Sequence, residues 1–244
     1  MQLFISVLHL HESRPETSQL FFDFIVGPAQ QASQLFILGD LFEYWAGDDD
    51  TGTSLHGKVC LALKSLSARS VDIRFTVGNR DFLIGAGFAA AAGVTLLPEL
   101  HMQTIAGIPT LLLHGDTLCT DDIAYQQFRA QVHDPAYIND FLRRPLAERK
   151  YIIENLRERS ETEKNNKSAM IMDVNNDAVI ATFRSSNVTR MIHGHTHRLA
   201  THYYDIDGKA CERWVLGDWG VTGNYLECSA DSWRFCIMGD NSPR

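Results

Sequence analysis

Short apolar runs, each closing on a polar residue, recur along the chain: LFISVLHL (Leu3 to Leu10), QLFILGD (34–40), VDIRFTVGNRD (71–81), IPTLLLHGD (108–116) and VTRMIHGHTH (188–197). Runs of this length bounded by Gly, Asn and Asp predict strands buried on both faces. The first reads as a strand that delivers His9 to a loop. Between the first three, TSQLFFDFI (17–25) and LHGKVCLALKSLSA (55–68) carry apolar residues at helical spacing. Strands alternating with helices predict an α/β core. Such sheets place their sites at the carboxyl ends of the strands, where the polar residues of these runs fall.

The last third has a different pattern. LATHYYDIDGKACERWVLGDW (199–219) predicts a hairpin turning at Asp207–Gly208, and NYLECSADSWRFCIM (224–238) predicts two more strands. Together they suggest a second, more antiparallel sheet, and hence a sandwich with helices outside. From about 121 to 170 the sequence is charged and helix-forming, and Pro145 starts or breaks a helix there. This block lies between two site-bearing strands. The expectation is one domain over 1–244, with a helical cap inserted at about 121–170.

Composition narrows the setting. At 244 residues, 45% hydrophobic and 21% charged, the chain suits one large globular domain with a substantial core. A net charge of −8 argues against a general nucleic-acid binder, so no nucleic-acid partner is expected. Cys60, Cys119, Cys211, Cys228 and Cys236 are odd in number and scattered, which suits a reducing compartment. The N-terminus reads as a strand and not a signal peptide, and the apolar segment 82–97 is too short and glycine-broken to span a bilayer. Peripheral membrane contact stays open. Trp45, Trp214, Trp219 and Trp233 read as packing, and Asp48-Asp49-Asp50 as an exposed turn close to Asp40.

The candidate chemistry lies in the strand-end clusters: His9; Gly39-Asp40; Gly78-Asn79-Arg80-Asp81; His114-Gly115-Asp116; and His193-Gly194-His195-Thr196-His197. Singly, each is ordinary. A histidine at a strand end is more often a hydrogen-bonded structural residue than a ligand, and Gly-Asp after a strand is more often a turn or a cap. Five such clusters in this order are hard to explain as turns. Imidazole, carboxylate and amide oxygen together suit Mn, Fe or Zn. Two divalent ions about 3.5–4 Å apart need a bridging carboxylate, for which Asp40 is the candidate. If the backbone at Gly194-His195-Thr196-His197 is extended, His195 and His197 point the same way and aim two imidazoles at one centre.

The series resembles that of the calcineurin-like metallophosphoesterase superfamily, D-x-H, G-D, G-N-[HR]-[DE], a histidine and G-H-x-H. Here it reads VLH, GD, GNRD, HGD and HGHTH, from about residue 3 to 198. Four elements match. The first carries Val7 where the pattern has aspartate. The resemblance implies an α/β fold, a β-sandwich of two mixed sheets flanked by helices. It also implies two divalent metal ions, Mn2+ foremost. One would be held by residue 7, His9, Asp40 and His197, the other by Asp40, Asn79, His114 and His195. Val7 is expected to weaken the first and to lower turnover.

Longer stretches narrow the resemblance to a lipid-cleaving branch: GDLFEYWAGDDD (39–50), GNRDFLIG (78–85), LLHGDTLCTDD (112–122), KSAMIMDVN (167–175) and IHGHTHR (192–198). It implies hydrolysis of a UDP-linked diacylglucosamine at the α-phosphorus, giving UMP and a diacylglucosamine 1-phosphate for lipid A assembly. Asp40, Asn79, Arg80 and His195 would be catalytic. Asn79, Arg80, Asp122, Tyr125, Ser160, Lys164, Lys167 and His195 would bind substrate. From the residues alone, a solvated helix face is the favoured account of most of the cap's charge run. Among its apolar residues, Phe141, Leu142, Leu146, Ile152, Ile153 and Leu156 read as core or as an enclosure for acyl chains. Arg143, Arg144, Arg149 and Lys150 are candidates for contact with an anionic membrane. The expected setting is a cytoplasmic monomer, peripheral at the inner membrane. Two alternatives stand beside this one: a soluble-nucleotide phosphodiesterase of the same superfamily, and a silent protein that binds the lipid without turning it over.

Overall fold

The computed structural model describes residues 1–52, 54–166 and 173–239, the side chains of 158–166 excepted. Strands β1 (Gln2–Ile5), β2 (Gln34–Leu38), β3 (Asp72–Thr76), β4 (Thr95–Leu96), β10 (Gly223–Cys228) and β11 (Trp233–Met238) form one sheet, in the order β11-β10-β1-β2-β3-β4. Strands β5 (His101–Ile105), β6 (Ile108–Leu112), β7 (Arg190–His193), β8 (Ala200–Ile206) and β9 (Lys209–Val215) form the other, in the order β5-β6-β7-β9-β8. Both sheets mix parallel and antiparallel pairs, which is the α/β sandwich the sequence leads one to expect.

Burial on both faces explains the unbroken apolar runs. Phe4 and Phe36 pair across β1 and β2 with rings stacked 4.8 Å apart, and together with Leu38 and Leu226 of the same sheet they share a core with Leu112 and Ile192 of the second. The alternate residues Leu3, Ile5, Leu35 and Ile37 face outward onto helices α1 (Pro15–Val26) and α2 (Leu55–Ser67) through Phe21, Phe24, Val59 and Leu63. Each such fully buried side chain contributes about 1.5–3 kcal/mol relative to exposure. The short α3 (Ala86–Ala92) completes that layer through Phe88. On the opposite side α7 (Asn176–Ser186) lays Val179 and Phe183 on Leu111 and Met191 of the second sheet.

Three expectations are corrected. The run Leu3 to Leu10 is not a strand throughout: β1 ends at Ile5, because Val7 and His9 have φ of +59° and +50°, and only an isolated bridge links Leu10 to Phe42. The C-terminal strands do not all build the second sheet. The hairpin turning at Asp207–Gly208 does, but β10 pairs antiparallel with β1 and carries β11 into the first sheet. Asp48–Asp50 is not an exposed turn. Its Asp48 accepts from Trp45 Nε1 and the Gly85 and Gly87 amides, and Asp50 is buried.

Between β6 and β7 run α4 (Ile123–Val132), α5 (Pro135–Leu142) and α6 (Leu146–Asn166), the last beginning directly after Pro145. Asp122 caps α4 by accepting from the Tyr125 amide, and Asp134 caps α5 through the Ala136 and Tyr137 amides. Asp116, in the loop after β6, fixes α4 from below through Tyr125 Oη at 2.7 Å and Arg129 Nε at 2.7 Å. Arg149 is buried and bonds Ala46 O and Asp49, so it is an anchor of α6 and cannot face a membrane. Lys150 pairs with Asp50. Of the four basic candidates, Arg143 and Arg144 are the exposed ones. No helix among the described residues is long and apolar enough to cross a membrane. All five cysteines are free thiols.

Candidate metal centre and its cavity

The loops that leave β1, β2, β3, β6 and β7 converge at one edge of the sandwich. Their approach is close enough to require glycine. A Cβ on Gly78 would lie 2.3 Å from Asp40 Oδ1, and one on Gly194 would lie 2.2 Å from Ser6 Oγ. Asp81 ties two loops together by accepting from the Gly78 amide at 2.8 Å, the Leu41 amide at 2.8 Å and the Asp40 amide at 3.2 Å. Burial, joined by the nearby Asp40 charge, pushes the Asp81 carboxyl up to about 7. Among the described residues nine non-glycine residues have positive φ, and five of them, Val7, His9, Asp40, His195 and His197, stand in these loops. Residues held in sparsely populated backbone regions cluster at functional sites.

His195 and His197 have φ of +62° and +61°, so the extended backbone expected for this motif is not what forms. The two imidazoles diverge instead of sharing a centre. His195 Nδ1 lies 2.9 Å from Asn79 Oδ1, whereas His197 Nε2 lies 3.5 Å from His9 Nε2. Asp40 stands between the two groups. Its Oδ1 accepts from the Arg80 amide at 2.8 Å, while its Oδ2 is 3.5 Å from His114 Nε2 and 3.9 Å from His9 Nε2. Burial alone would raise the Asp40 carboxyl, but the neighbouring His114 and His9 and the Arg80 amide pull it down to about 2.

The donor chemistry fits a metal ion. His114 Nδ1 lies 2.8 Å from Leu38 O, and since a carbonyl only accepts, that nitrogen carries the proton. The remaining nitrogen of neutral His114 is therefore a lone pair, and it faces Asn79 Oδ1 at 3.1 Å and Asp40 Oδ2. Lone pairs converging in a buried space require a cation. A second proton on His114 is one such cation: burial works against it, but Asp40 and Asp116 outweigh burial and raise the His114 pKa. A metal ion is the other, and one donor atom each from Asp40, His114 and His195 lies within 4.8 Å of the others. The backbone carbonyl on His114 Nδ1 is the kind of outer partner that orients a metal-binding imidazole. His9, by contrast, is held neutral, since burial outweighs Asp40 and Glu43 and lowers its pKa to about 4.

Above this cluster opens a cavity of about 640 Å³. His9, Asp40, Asn79, Arg80, Asp122, Tyr125, His195 and His197 all line it. His114 lies beneath, fully enclosed. The Tyr125 ring packs over His195, with centroids 6.0 Å apart, and burial beside Asp116 raises the pKa of its phenol. The cavity walls are also apolar in part, through Phe82, Phe128, Val132, Phe141, Ile153 and Leu156. Of the apolar candidates, Phe141, Ile153 and Leu156 reach this wall; Ile152 packs against the main core and Leu142 is exposed. Val7 is fully buried and packs against Gly194. Ser160 and Lys164 fall where only the α6 backbone is described, and Lys167 lies outside the described residues.

Two residues not picked out in the sequence belong here. Glu43 Oε1 pairs with Arg157 at 2.8 Å and faces Arg80 at 3.6 Å, while its Oε2 lies 3.6 Å from His9 Nδ1. Arg157 also lies over the Tyr44 ring at 5.6 Å and lines the cavity. Glu43 sits three residues after Asp40, which was the available signal. Arg157 had none, because it is one of many charges along α6.

A β-sandwich whose strand-end loops gather imidazoles, an amide and a shared carboxylate defines a metal-dependent phosphoesterase, and the chain belongs to the calcineurin-like phosphoesterase family, whose model matches residues 4–199. Membership implies divalent metal ions. Within the family the chain is similar to UDP-2,3-diacylglucosamine hydrolases. It is 51% identical over 224 residues to that of Aromatoleum aromaticum, covering 92% of this chain and 91% of the relative. With the hydrolase of Pasteurella multocida it shares 49% over 224 residues, 92% of each chain. With that of Stenotrophomonas maltophilia K279a it shares 47% over 238 residues, 95% of this chain and 96% of the other.

Proposed function

We propose that the chain hydrolyses UDP-2,3-diacylglucosamine: water attacks the α-phosphorus, the bond to the bridging oxygen breaks, and UMP and 2,3-diacylglucosamine 1-phosphate leave. The observation that carries this reading is a single cavity lined both by the candidate metal-binding donors and by apolar residues of α4, α5 and α6. A soluble nucleotide has no use for the apolar part of this lining. The relatives' shared name points the same way.

Asp40, Asn79, His114 and His195, with His9 and His197, would hold the divalent ions, and Mn2+ suits their mixed oxygen and nitrogen donors. Bound ions supply Lewis acidity, lowering the pKa of the attacking water and drawing charge from the phosphate oxygens. The protein's own residues do the rest. Arg80 presents paired donors to the diphosphate, with Glu43 setting its direction. Asn79 and His195 lie on the same wall, where they meet the phosphate as charge builds on it. Asp122, Tyr125, Ser160, Lys164 and Lys167 bind the remainder of the substrate. The inserted helices act as a cap over 121–170 whose apolar wall takes acyl chains and keeps water away from them. The enzyme works as a monomer on the cytoplasmic face of the inner membrane, where its lipid substrate resides.

The test is UMP release with Mn2+ from the acylated substrate in mixed micelles and from a UDP-sugar without acyl chains. Preference for the acylated substrate by at least about tenfold in kcat/KM is expected. Equal rates on both would overturn the lipid reading.

A further inference from the structure

We infer that this chain holds one divalent ion tightly, on Asp40, Asn79, His114 and His195, and a second only weakly and exchangeably, on His9 and His197. The inference rests on the metal-site reading above and not on the lipid substrate.

The two halves of the centre are unequally furnished. In the first, Asn79 Oδ1 lies within 3.1 Å of His114 Nε2 and 2.9 Å of His195 Nδ1, and Asp40 Oδ2 completes a set of four donors. In the second, His9 Nε2 and His197 Nε2 face one another at 3.5 Å, and the shared Asp40 Oδ2 lies 3.9 Å from His9 Nε2. A single carboxylate then serves two ions, although carboxylate charge is what relieves their mutual repulsion. Two other carboxylates stand close but on the wrong side. Glu43 Oε2 lies 3.6 Å from His9 Nδ1, and Asp218 Oδ2 lies 3.7 Å from His197 Nδ1. Both face the ring edge opposite the one that meets its partner imidazole. They orient the rings from outside and add no donor to the pair.

The backbone marks where a donor is missing. His9, Asp40, His195 and His197 all have φ between +50° and +62°, and each points a polar group into the centre. Val7 shares that conformation at +59° and is held there by Trp219 N–H donating to its carbonyl at 3.1 Å and by its own N–H donating to Gly39 O at 3.1 Å. A β-branched residue in this region is an outlier, whereas aspartate and asparagine adopt it readily. Position 7 therefore has the backbone of the ligand-bearing positions and a side chain that cannot bind a cation. Losing an inner carboxylate exceeds the loss of an outer partner, which itself lowers affinity about 10–100-fold.

The measurement needs no substrate. The protein is loaded with Mn2+ and dialysed against metal-free buffer. Ions per chain are counted by elemental analysis, and paramagnetic resonance separates isolated Mn2+ from a coupled pair. About one magnetically isolated ion is expected to remain. It should persist in His197→Ala and be lost in His114→Ala and in Asn79→Ala, the latter removing only a half-buried side chain. Val7→Asp should retain two coupled ions, with the second held at least about 100-fold more tightly than before. Two ions retained equally by the unaltered chain would overturn the inference, as would loss of the retained ion in His197→Ala but not in Asn79→Ala. No retained ion in either the chain or Val7→Asp would overturn the metal-site reading beneath it too. The lipid reading is decided separately by the UMP assay.

Discussion

Gly78→Ala isolates the contact that joins the loops of β2 and β3. Gly78 does not occupy the left-handed region, so alanine fits its backbone, and only the added methyl acts. That methyl would lie 2.3 Å from Asp40 Oδ1 and 2.5 Å from the Asp40 amide nitrogen, against 3.4 Å or more in ordinary contact. Asp40 must therefore move by about 1 Å, a misplacement that costs on the order of 100-fold in rate at a reacting centre. Overpacking costs about 1–3 kcal/mol. Reduced freedom of the unfolded chain returns about 0.4–1 kcal/mol. The net loss is about 1–2 kcal/mol, or roughly 2–8 °C in Tm for a chain of this size. Gly52→Ala is the control, since its Cβ meets nothing within 4 Å, and it should leave the rate unchanged and, with only the entropic gain acting, raise Tm by roughly 1–4 °C. The assays are UMP release with Mn2+ and thermal unfolding of both variants. A Gly78→Ala enzyme within twofold of the parent rate, with unchanged Tm, would show that the loops yield freely and that Asp40 is not held where the structure puts it.

Arg149→Met keeps the apolar stem but removes the buried guanidinium that bonds Ala46 O and Asp49. Stability should fall by about 1.5–3 kcal/mol, and KM for the acylated substrate should rise more than kcat falls, with liposome binding unchanged; weaker liposome binding at constant KM would contradict the anchoring role. Tyr125→Phe deletes the hydroxyl that donates to Asp116 at 2.7 Å while Arg129 keeps its own bond there. Unfolding should show a loss of about 1.5 kcal/mol, with KM raised by the loosened α4, and an unaltered KM would remove Tyr125 from the substrate site.

Much of the molecule was legible in the chain. The apolar runs gave the parallel strands, because burial on both faces leaves no alternation to disguise them, and Asp-Gly at 207–208 gave the hairpin turn. Asp40, Asn79, His114, His195 and the His9/His197 pair were legible as residue types at strand ends, where an α/β sheet must present its chemistry. Val7, the one departure from the motif series, also stood out in the sequence.

Other features depended on distances no local pattern carries. Whether β10 and β11 join the second sheet or cross to the first is settled by long-range pairing with β1, and apolar periodicity is the same in both cases. The left-handed backbone at Val7, His9, His195 and His197 follows from glycine-thin loops pressed together, so the two imidazoles of one short motif serve different halves of the centre. Arg149 and Arg143 look alike in a charged run, yet Arg149 lies on α6 and is buried against Ala46 O, whereas Arg143 caps the end of α5 and lies in solvent. Residue types and their order determined which chemistry this chain can perform. Only the tertiary structure, by fixing distances between residues far apart in sequence, decided which of those donors face one another and which charges tie α4 and α6 to the loops beneath them.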